Sequence, residues 1–364
     1  MYITALEAVA FRNLSAVSVR PCREVNLIYG DNAQGKTNLL EALWMFTGCR
    51  SFRGAKDAEL LQFGKPKARL YLEYHGQGRA QTMQLDIEKS RTFTQNGVRL
   101  PSASRAMGEF LAVVFSPVHL TLVKDGPVGR RRFLDAAIGQ LKPKYGAALS
   151  DYGKAVQQRN LVLKDAAFHR ELYDTLDVWE ERIAYYGSEI IRQRIGYVQR
   201  LSEFSSEIYA GISQKKETLR LSYEEAVPTE GRDRKELYES LIASLRRARK
   251  EDLLTGTTSV GPHRDDLRVE IDFLSARTYA SQGQQRSAAL ALKLGEAAVI
   301  KSFSREQPVA LLDDVMSELD AARQNYILNH IRDWQVFITC CDPSSVKSLR
   351  YGKAFRMEKG CILS

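Results

Sequence analysis

Asn26-Leu27-Ile28-Tyr29-Gly30-Asp31-Asn32-Ala33-Gln34-Gly35-Lys36-Thr37-Asn38-Leu39-Leu40-Glu41-Ala42 decides how the rest of the chain is read. Residues 30–37 fit G-x-x-x-x-G-K-[ST]. An apolar run at 25–29 precedes them, and Leu39, Leu40, Leu43 and Phe46 follow at helical spacing. Strand, glycine loop and helix in that order make a phosphate-binding loop. Glycines let backbone N–H groups turn inward around phosphate oxygens, and the helix N-terminus adds a favourable dipole. Lys36 is then the contact for the β- and γ-phosphates of ATP, and Thr37 holds Mg²⁺. Gly30, Asn32, Gly35 and Asn38 complete the expected nucleotide-binding set.

A nucleotide site of this kind needs a second, acidic half. Leu311-Leu312-Asp313-Asp314 provides it at the end of a short apolar strand. Asp313 is placed to ligate Mg²⁺, a cation that prefers hard oxygens. Asp314 is placed to orient or activate the attacking water, which makes Lys36 and Asp314 the candidate catalytic residues. Alone, two such aspartates would read as turn residues. Ser281-Gln282-Gly283-Gln284-Gln285-Arg286 precedes an Ala- and Leu-rich helical stretch. In isolation this is an ordinary Ser N-cap loop. Its small residues before a helix N-terminus also make Ser281, Gly283 and Gln284 a second anion site. A chain that already owns one γ-phosphate site has a use for another when it serves the nucleotide of a second copy.

The chain has 364 residues, which exceeds what one core usually organises and sets two domains as the expectation. Lys and Arg exceed Asp and Glu by 53 − 44 = 9. A basic surface attracts polyanions, nucleic acid among them. No apolar run approaches the roughly 20 residues that span a bilayer. The first 11 residues lack the pattern of a signal peptide. Five cysteines without a C-x-x-C pair read as reduced cytoplasmic thiols, and the five histidines are scattered with no metal cluster.

Residues 2–11 and 25–29 read as strands. Leu70, Leu72 and Tyr74, then Met83, Leu85 and Ile87, alternate with polar residues, as half-buried antiparallel strands do. Asn96-Gly97 marks a hairpin turn. From Leu149 the period changes to a helical one. A stripe from Leu172 through Trp179, Ile183 and Ile190 to Leu201 and Ile208 predicts a long amphipathic helix, with Gly187 and Gly196 as its weak points. Leu237, Leu241 and Leu245 predict another. Strand signals return at 267–273, 309–312 and 336–339, with a helix at 287–301. The phosphate loop and the acidic strand must meet at one nucleotide. The ends of the chain, 1–122 and 255–364, are therefore expected to fold together as an α/β head, and 123–254 to project as an all-α lobe.

The order of phosphate loop, long insertion, S-Q-G-Q and L-L-D-D-V-M-S-E-L-D resembles an ABC-type P-loop ATPase head of the SMC and repair-ATPase branch. Within that branch the chain is similar to the RecF family of bacterial DNA replication and repair proteins. The resemblance rests on residues 11–14 (F-R-N-L), 26–42, 50–54 (R-S-F-R-G), 115–117 (F-S-P), 130–135 (R-R-R-F-L-D) and 261–266 (G-P-H-R-D-D), with the loops above. It implies a mixed β-sheet with an antiparallel β-subdomain, and Ser281–Gln284 binding the partner's γ-phosphate. It implies Ser317-Glu318-Leu319-Asp320 linking the two sites. It further implies an ATP-driven homodimer on double-stranded DNA near gaps or stalled forks, a weak ATPase that supports RecA loading with RecR and RecO. Three departures from the wider ABC pattern suit slow turnover. Asp314 stands where Glu is usual, Cys340-Cys341 occupies the region of an expected histidine, and Ser116 is the nearest candidate for an expected glutamine.

Three basic clusters are candidates for DNA phosphate: Arg130, Arg131 and Arg132; Arg246, Arg247, Arg249 and Lys250; and, more diffusely, Arg53, Lys56, Lys65 and Lys67. No basic–aromatic interleaving suggests base stacking, so backbone and shape recognition is expected. Residues 261–266 read as a structural turn. The rival readings are a transporter's nucleotide-binding subunit, another SMC-like repair ATPase, and a small-molecule P-loop kinase. Transporter subunits lack a long helical insertion, and a kinase has no use for S-Q-G-Q or S-E-L-D.

Overall fold

The computed structural model describes residues 1–165, 169–225, 233–342 and 352–363. The chain opens with β1 (Tyr2–Phe11) and β2 (Leu14–Val19). Strand β3 (Val25–Tyr29) runs into the glycine loop and α1 (Lys36–Met45). Strands β4 (Ala68–Gly76), β5 (Arg79–Ile87), β6 (Arg91–Gln95), β7 (Val98–Arg99) and β8 (Ala112–Phe115) follow. The middle holds α2 (Pro117–Leu120), α3 (Pro127–Leu141), α4 (Pro143–Asp165), α5 (Leu176–Ile212), β9 (Leu219–Glu224) and α6 (Arg234–Thr255). Then come β10 (Asp266–Ile271), β11 (Leu274–Ser275), α7 (Ala276–Tyr279), α8 (Gln282–Ser304) and β12 (Val309–Leu312). Last are α9 (Ala321–His330), β13 (Val336–Cys340), β14 (Lys353–Glu358) and β15 (Cys361–Leu363).

The central sheet runs β15-β14-β3-β13-β12-β8, and all its pairs are parallel except β14–β15. Parallel strands covered on both faces read as continuous apolar runs, as β8, β12 and β13 do. Alternate residues face opposite cores. Ile28, Val114, Leu311 and Phe337 pack with Leu39, Leu40 and Leu43 of α1 and with the antiparallel sheet β2-β1-β4-β5-β6-β7. Leu27, Val113, Leu312 and Ile338 face the other way, onto Leu134 of α3, Ile190 of α5 and Leu294 of α8. The ends of the chain thus fold together. The helices within 123–254 share their core with the sheet, so that stretch is an excursion of the chain without a core of its own.

Helix α5 passes through Gly187 and Gly196 without a break. Leu172 lies just before it, in the 3-10 turn Arg170–Thr175. The lobe also carries β9, which joins β10 and β11 in a three-stranded sheet. The strand expected at 267–273 stops at Ile271, because Asp272 and Phe273 turn the chain with φ of 49° and 66°. At Asn96-Gly97 both residues have positive φ, as a type I′ hairpin requires. Among the described residues no helix is long and apolar enough to cross a membrane, and no three or more His, Cys, Asp or Glu side chains gather as a metal-ion site.

Residues 261–266 knit the lobe to the head. His263 Nε2 stands 3.0 Å from the Thr258 carbonyl, which can only accept, so Nε2 carries the proton. Nδ1 then accepts from the Tyr152 hydroxyl at 2.6 Å. Burial holds this imidazole's pKa down at about 4, against an ordinary value of 6.5, with Arg264, Arg131 and Arg194 adding repulsion. The imidazole stays neutral in the folded protein while it protonates in the unfolded chain below pH 6.5, so its full contribution to stability is present only above that pH. That contribution is lost as pH falls from 6.5 towards about 4. Urea unfolding at pH 7, 5.5 and 4.5 should show a loss of up to roughly 3 kcal/mol from this residue. The loss should shrink in His263→Gln. Equal acid sensitivity in both proteins would discount the histidine.

Candidate nucleotide site

Between β3 and α1 the backbone takes conformations that L side chains resist: Gly30 has φ 149° and Gly35 φ 107°. A Cβ on Gly30 would stand 2.3 Å from the Met357 carbonyl oxygen of β14, so the loop's first position admits no side chain. Lys36 is 5% exposed and folds back over the loop, donating to the carbonyls of Gly30 at 2.7 Å and Asp31 at 2.9 Å. Its Nζ is also 3.6 Å from Cys341 Sγ, which donates to Asn32 Oδ1 at 3.0 Å. Asn38, in the first turn of the helix, donates to Asn13 Oδ1 and accepts from Arg53 Nη1.

The acidic half joins this loop directly. Thr37 Oγ1 donates to Asp313 Oδ1 at 2.7 Å, and Thr339 Oγ1 donates to the same oxygen at 3.1 Å. Thr339 Oγ1 in turn accepts from the Asp314 N–H at 2.9 Å. Burial raises the pKa of Asp313 against the opposing hydrogen bonds of Thr37 and Thr339. Burial also raises that of Asp314, opposed by the charge of Lys36. Asp314 has φ 49° and ψ 11°, a left-handed conformation in which short Asp is enriched. That backbone suits an aspartate where a longer carboxylate is usual. The hydroxyl of Thr37, the carboxylate of Asp313 and the enclosed Lys36 are a donor set for a nucleoside triphosphate and a hard divalent cation.

Ser281 caps α8. Its hydroxyl accepts from Gln284 N–H, and Gln284 Oε1 accepts from Ser281 N–H. Ser281 is exposed; Gly283 and Gln284 are half-buried. Their bonds run to Arg323 of α9 and to Glu217, and not to the phosphate loop.

The basic clusters sort differently from their sequence reading. Arg130 is 3% exposed and pairs with both oxygens of Asp266 at 2.8 and 2.7 Å. It also donates to the carbonyls of Leu122, Val123 and Asp125. It is a brace between α3 and β10, its guanidinium turned to these internal partners. Arg131 is half-buried and bonded to the Asp265 carbonyl. Arg249 is held by Asp177 and Glu180, which removes it from the DNA-facing set as well. Arg132, Arg246, Arg247 and Lys250 are exposed. Lys67 pairs with Asp86 and Glu88, and Lys65 is exposed. Arg132 Nη1 would stand 3.2 Å from a Cβ on Gly54, which brings it beside the loop of Arg53 and Lys56. Arg53 itself reaches Asn38 and Glu41 of α1, a role its place in a diffuse basic cluster did not reveal. Cys341 lies against the loop, in the region where the sequence lacks the expected histidine, while Asn13, within F-R-N-L, and Thr339, near the end of an apolar strand, carry no sequence signal of their place beside it.

The family described as RecF/RecN/SMC N terminal domain matches residues 2–362. A protein of Acetivibrio thermocellus called DNA replication and repair protein RecF is 37% identical over 97% of this chain and 96% of its own. One of the same name from Agathobacter rectalis is 39% identical over 100% and 99%.

The chain belongs to the RecF family. A solved structure of the recombination mediator protein RecF-ATPrS in the RecFOR pathway superimposes with a TM-score of 0.92 at 35% identity, over 99% of this chain and 97% of that one. The Smc head domain of Pyrococcus furiosus shares the fold, with a TM-score of 0.53 at 17% identity. The architecture is therefore that of RecF and SMC ABC-type ATPase heads.

Replacing Arg130 tests its reassignment in this RecF-family chain. Arg130→Ala leaves Asp266 without its partner and should cost about 3 kcal/mol or more of stability in urea unfolding. DNA affinity, measured on the folded fraction, should stay within about twofold. A large loss of affinity at full stability would restore Arg130 to the DNA surface.

Proposed function

We propose that this chain is an ATP-dependent DNA-binding ATPase that closes as a homodimer on duplex DNA near gaps or stalled forks. In this reading it supports RecA loading together with RecR and RecO in recombinational repair and replication restart. The observation that carries the reading is the bond from Thr37 to Asp313. It joins the phosphate loop to the acidic strand inside a chain of RecF-family length and fold. The insertion from α3 to α6 argues against a transporter subunit.

On this reading ATP sits with its phosphates in the turn of residues 30–37. Lys36 leaves its carbonyl partners for the β- and γ-phosphates. Mg²⁺ bound by Thr37 and Asp313 would supply charge neutralisation at the phosphates. Asp314 orients water for attack, and Ser281, Gly283 and Gln284 of the second copy close the site. Asp314 carries a short side chain on a left-handed backbone, and Cys341 stands where an imidazole would help, so hydrolysis is slow and acts as a release switch. Duplex DNA lies over Arg132, Arg53 and Lys56, with Arg246, Arg247 and Lys250 as a second stripe on α6. Arg53 also touches α1, so this surface connects to the nucleotide.

Lys36→Met should abolish ATP binding and ATP-driven dimerisation while the melting temperature stays unchanged. Undiminished ATP affinity would reject the site. Asp314→Asn should keep ATP binding, slow hydrolysis at least about tenfold and prolong the ATP-bound dimer, whereas Asp313→Asn should lose the Mg²⁺ dependence of binding. Like behaviour of the two variants would cancel their division of roles.

DNA recognition through phosphates predicts affinity that falls with salt at a log–log slope of about −3 or steeper. It should be nearly indifferent to sequence. Fluorescence anisotropy over a salt series, for the parent and Arg132→Ala, checks this. A flat response would place the duplex elsewhere.

A further inference from the structure

The loop of Ser281, proposed to face the second copy's ATP, and the loop of Glu318, which follows Asp314, are stitched together by two arginines. From α9, Arg323 reaches back to the start of α8. Its Nε donates to Ser287 Oγ at 2.8 Å and its Nη2 to the Gly283 carbonyl at 2.9 Å, while Nη1 pairs with Asp320. From α8, Arg286 reaches forward, donating to the Glu318 carbonyl at 2.8 Å and pairing with the Glu318 carboxylate at 3.2 Å. Gly283 explains part of this fit. A Cβ there would lie 3.3 Å from Arg323 Nη2, tighter than ordinary contact, so glycine leaves the guanidinium its place against the carbonyl.

The path continues to the chain's own nucleotide. Asp314 begins the 3-10 turn Val315–Glu318, and Ser317 Oγ donates to the Asp314 carbonyl at 2.7 Å. Asp314 is fixed at its other side by Thr339. A short run of bonded groups therefore leads from Asp314 through Ser317 and the adjoining Glu318 to Arg286 of α8, and Asp320, two residues further on, pairs with Arg323, which reaches Gly283 and Ser287 at the start of α8. Each arginine is paired at this end of α8, Arg286 with Glu318 and Arg323 with Asp320, and Gln284 donates to Glu217.

We infer that Arg323, with Arg286, is a positioning residue that holds the Ser281 loop at the orientation set by the Asp314 loop. The state of the chain's own ATP thereby governs its grip on the ATP of the second copy. This rests on the composite-site reading above.

The test uses the full-length chain with ATP and Mg²⁺. Arg323→Ala should bind ATP as a monomer within about twofold of the parent, yet need roughly tenfold more ATP for half-maximal dimerisation in sedimentation. Arg323→Lys keeps the charge without the forked geometry and should fall between them. Mixing Arg323→Ala with Lys36→Met should not restore hydrolysis, because the Lys36→Met chain carries no ATP of its own to set its Ser281 loop. Recovery above either variant alone would show that this loop acts whatever its own nucleotide, and would overturn the inference. Dimerisation of Arg323→Ala at parental ATP concentrations overturns the inference. Ser281→Arg run in parallel separates the two ideas. If it blocks dimerisation while Arg323→Ala does not, the strut alone falls; if both dimerise normally, the composite site falls. Should Arg323→Ala fail to fold, Arg323→Gln is read by the same criteria.

Discussion

A hydrogen bond 2.7 Å long between Thr37 and Asp313, residues 276 positions apart, constrains everything else in the molecule. Side-chain hydrogen bonds at such a site depend on backbone placement to within fractions of an ångström. Strands supply that precision here. β3 delivers the glycine loop, β12 delivers the aspartates, and β13 lies between them to deliver Thr339 to both. All three run parallel, so all three functional ends emerge at one edge of the sheet. The helical excursion has to leave after β8 and return before β12. Its helices cover one face, and α1 with the antiparallel sheet covers the other.

Much of this was legible because the decisive elements are local. The phosphate loop shows itself through glycine, lysine and threonine at fixed spacing between an apolar strand and an apolar helix. Its partner strand reads as Val309–Leu312, with the same bounds in the structure. The stripe of α5 was legible because burial of one face sets the period of its apolar residues, and packing overrode the modest cost of Gly187 and Gly196. What stayed hidden depends on contacts distant in sequence. Strand β14 passes as ordinary mixed sequence, yet its Met357 carbonyl closes on Gly30. Arg130, Arg131 and Arg132 look alike in a row, but a helix turns successive side chains by about 100°. The first is sealed against Asp266, the last is exposed.

The same distinction bears on charge. The net excess of nine positive charges does not sit wholly on the surface. Arg159, with no exposed surface, bonds to Glu180 at 2.9 Å and Asp252 at 2.6 Å, which ties α4, α5 and α6. Arg194 bonds to Asp135 and to the Pro262 carbonyl, tying α5 to α3 and to the turn before β10. Buried pairs add little net stability over apolar packing, but a mispaired arrangement leaves a charge uncompensated. They fix which helix lies beside which. A lobe whose helices share the sheet's core then follows the sheet as one body.

Synthesis order gives the position of β3 another meaning. This strand leaves the ribosome early, but its two neighbours in the sheet, β13 and β14, are made from Val336 onward. Until then its backbone donors and acceptors have no strand partners, although α1 and the antiparallel sheet that cover one of its faces are already made. Nearly the entire polypeptide exists before the nucleotide loop can be seated. Closing so long a loop is slow, and unpaired strand edges invite association with other nascent chains. The geometry that brings distant residues to one site therefore leaves both edges of β3 unpaired until the last strands arrive.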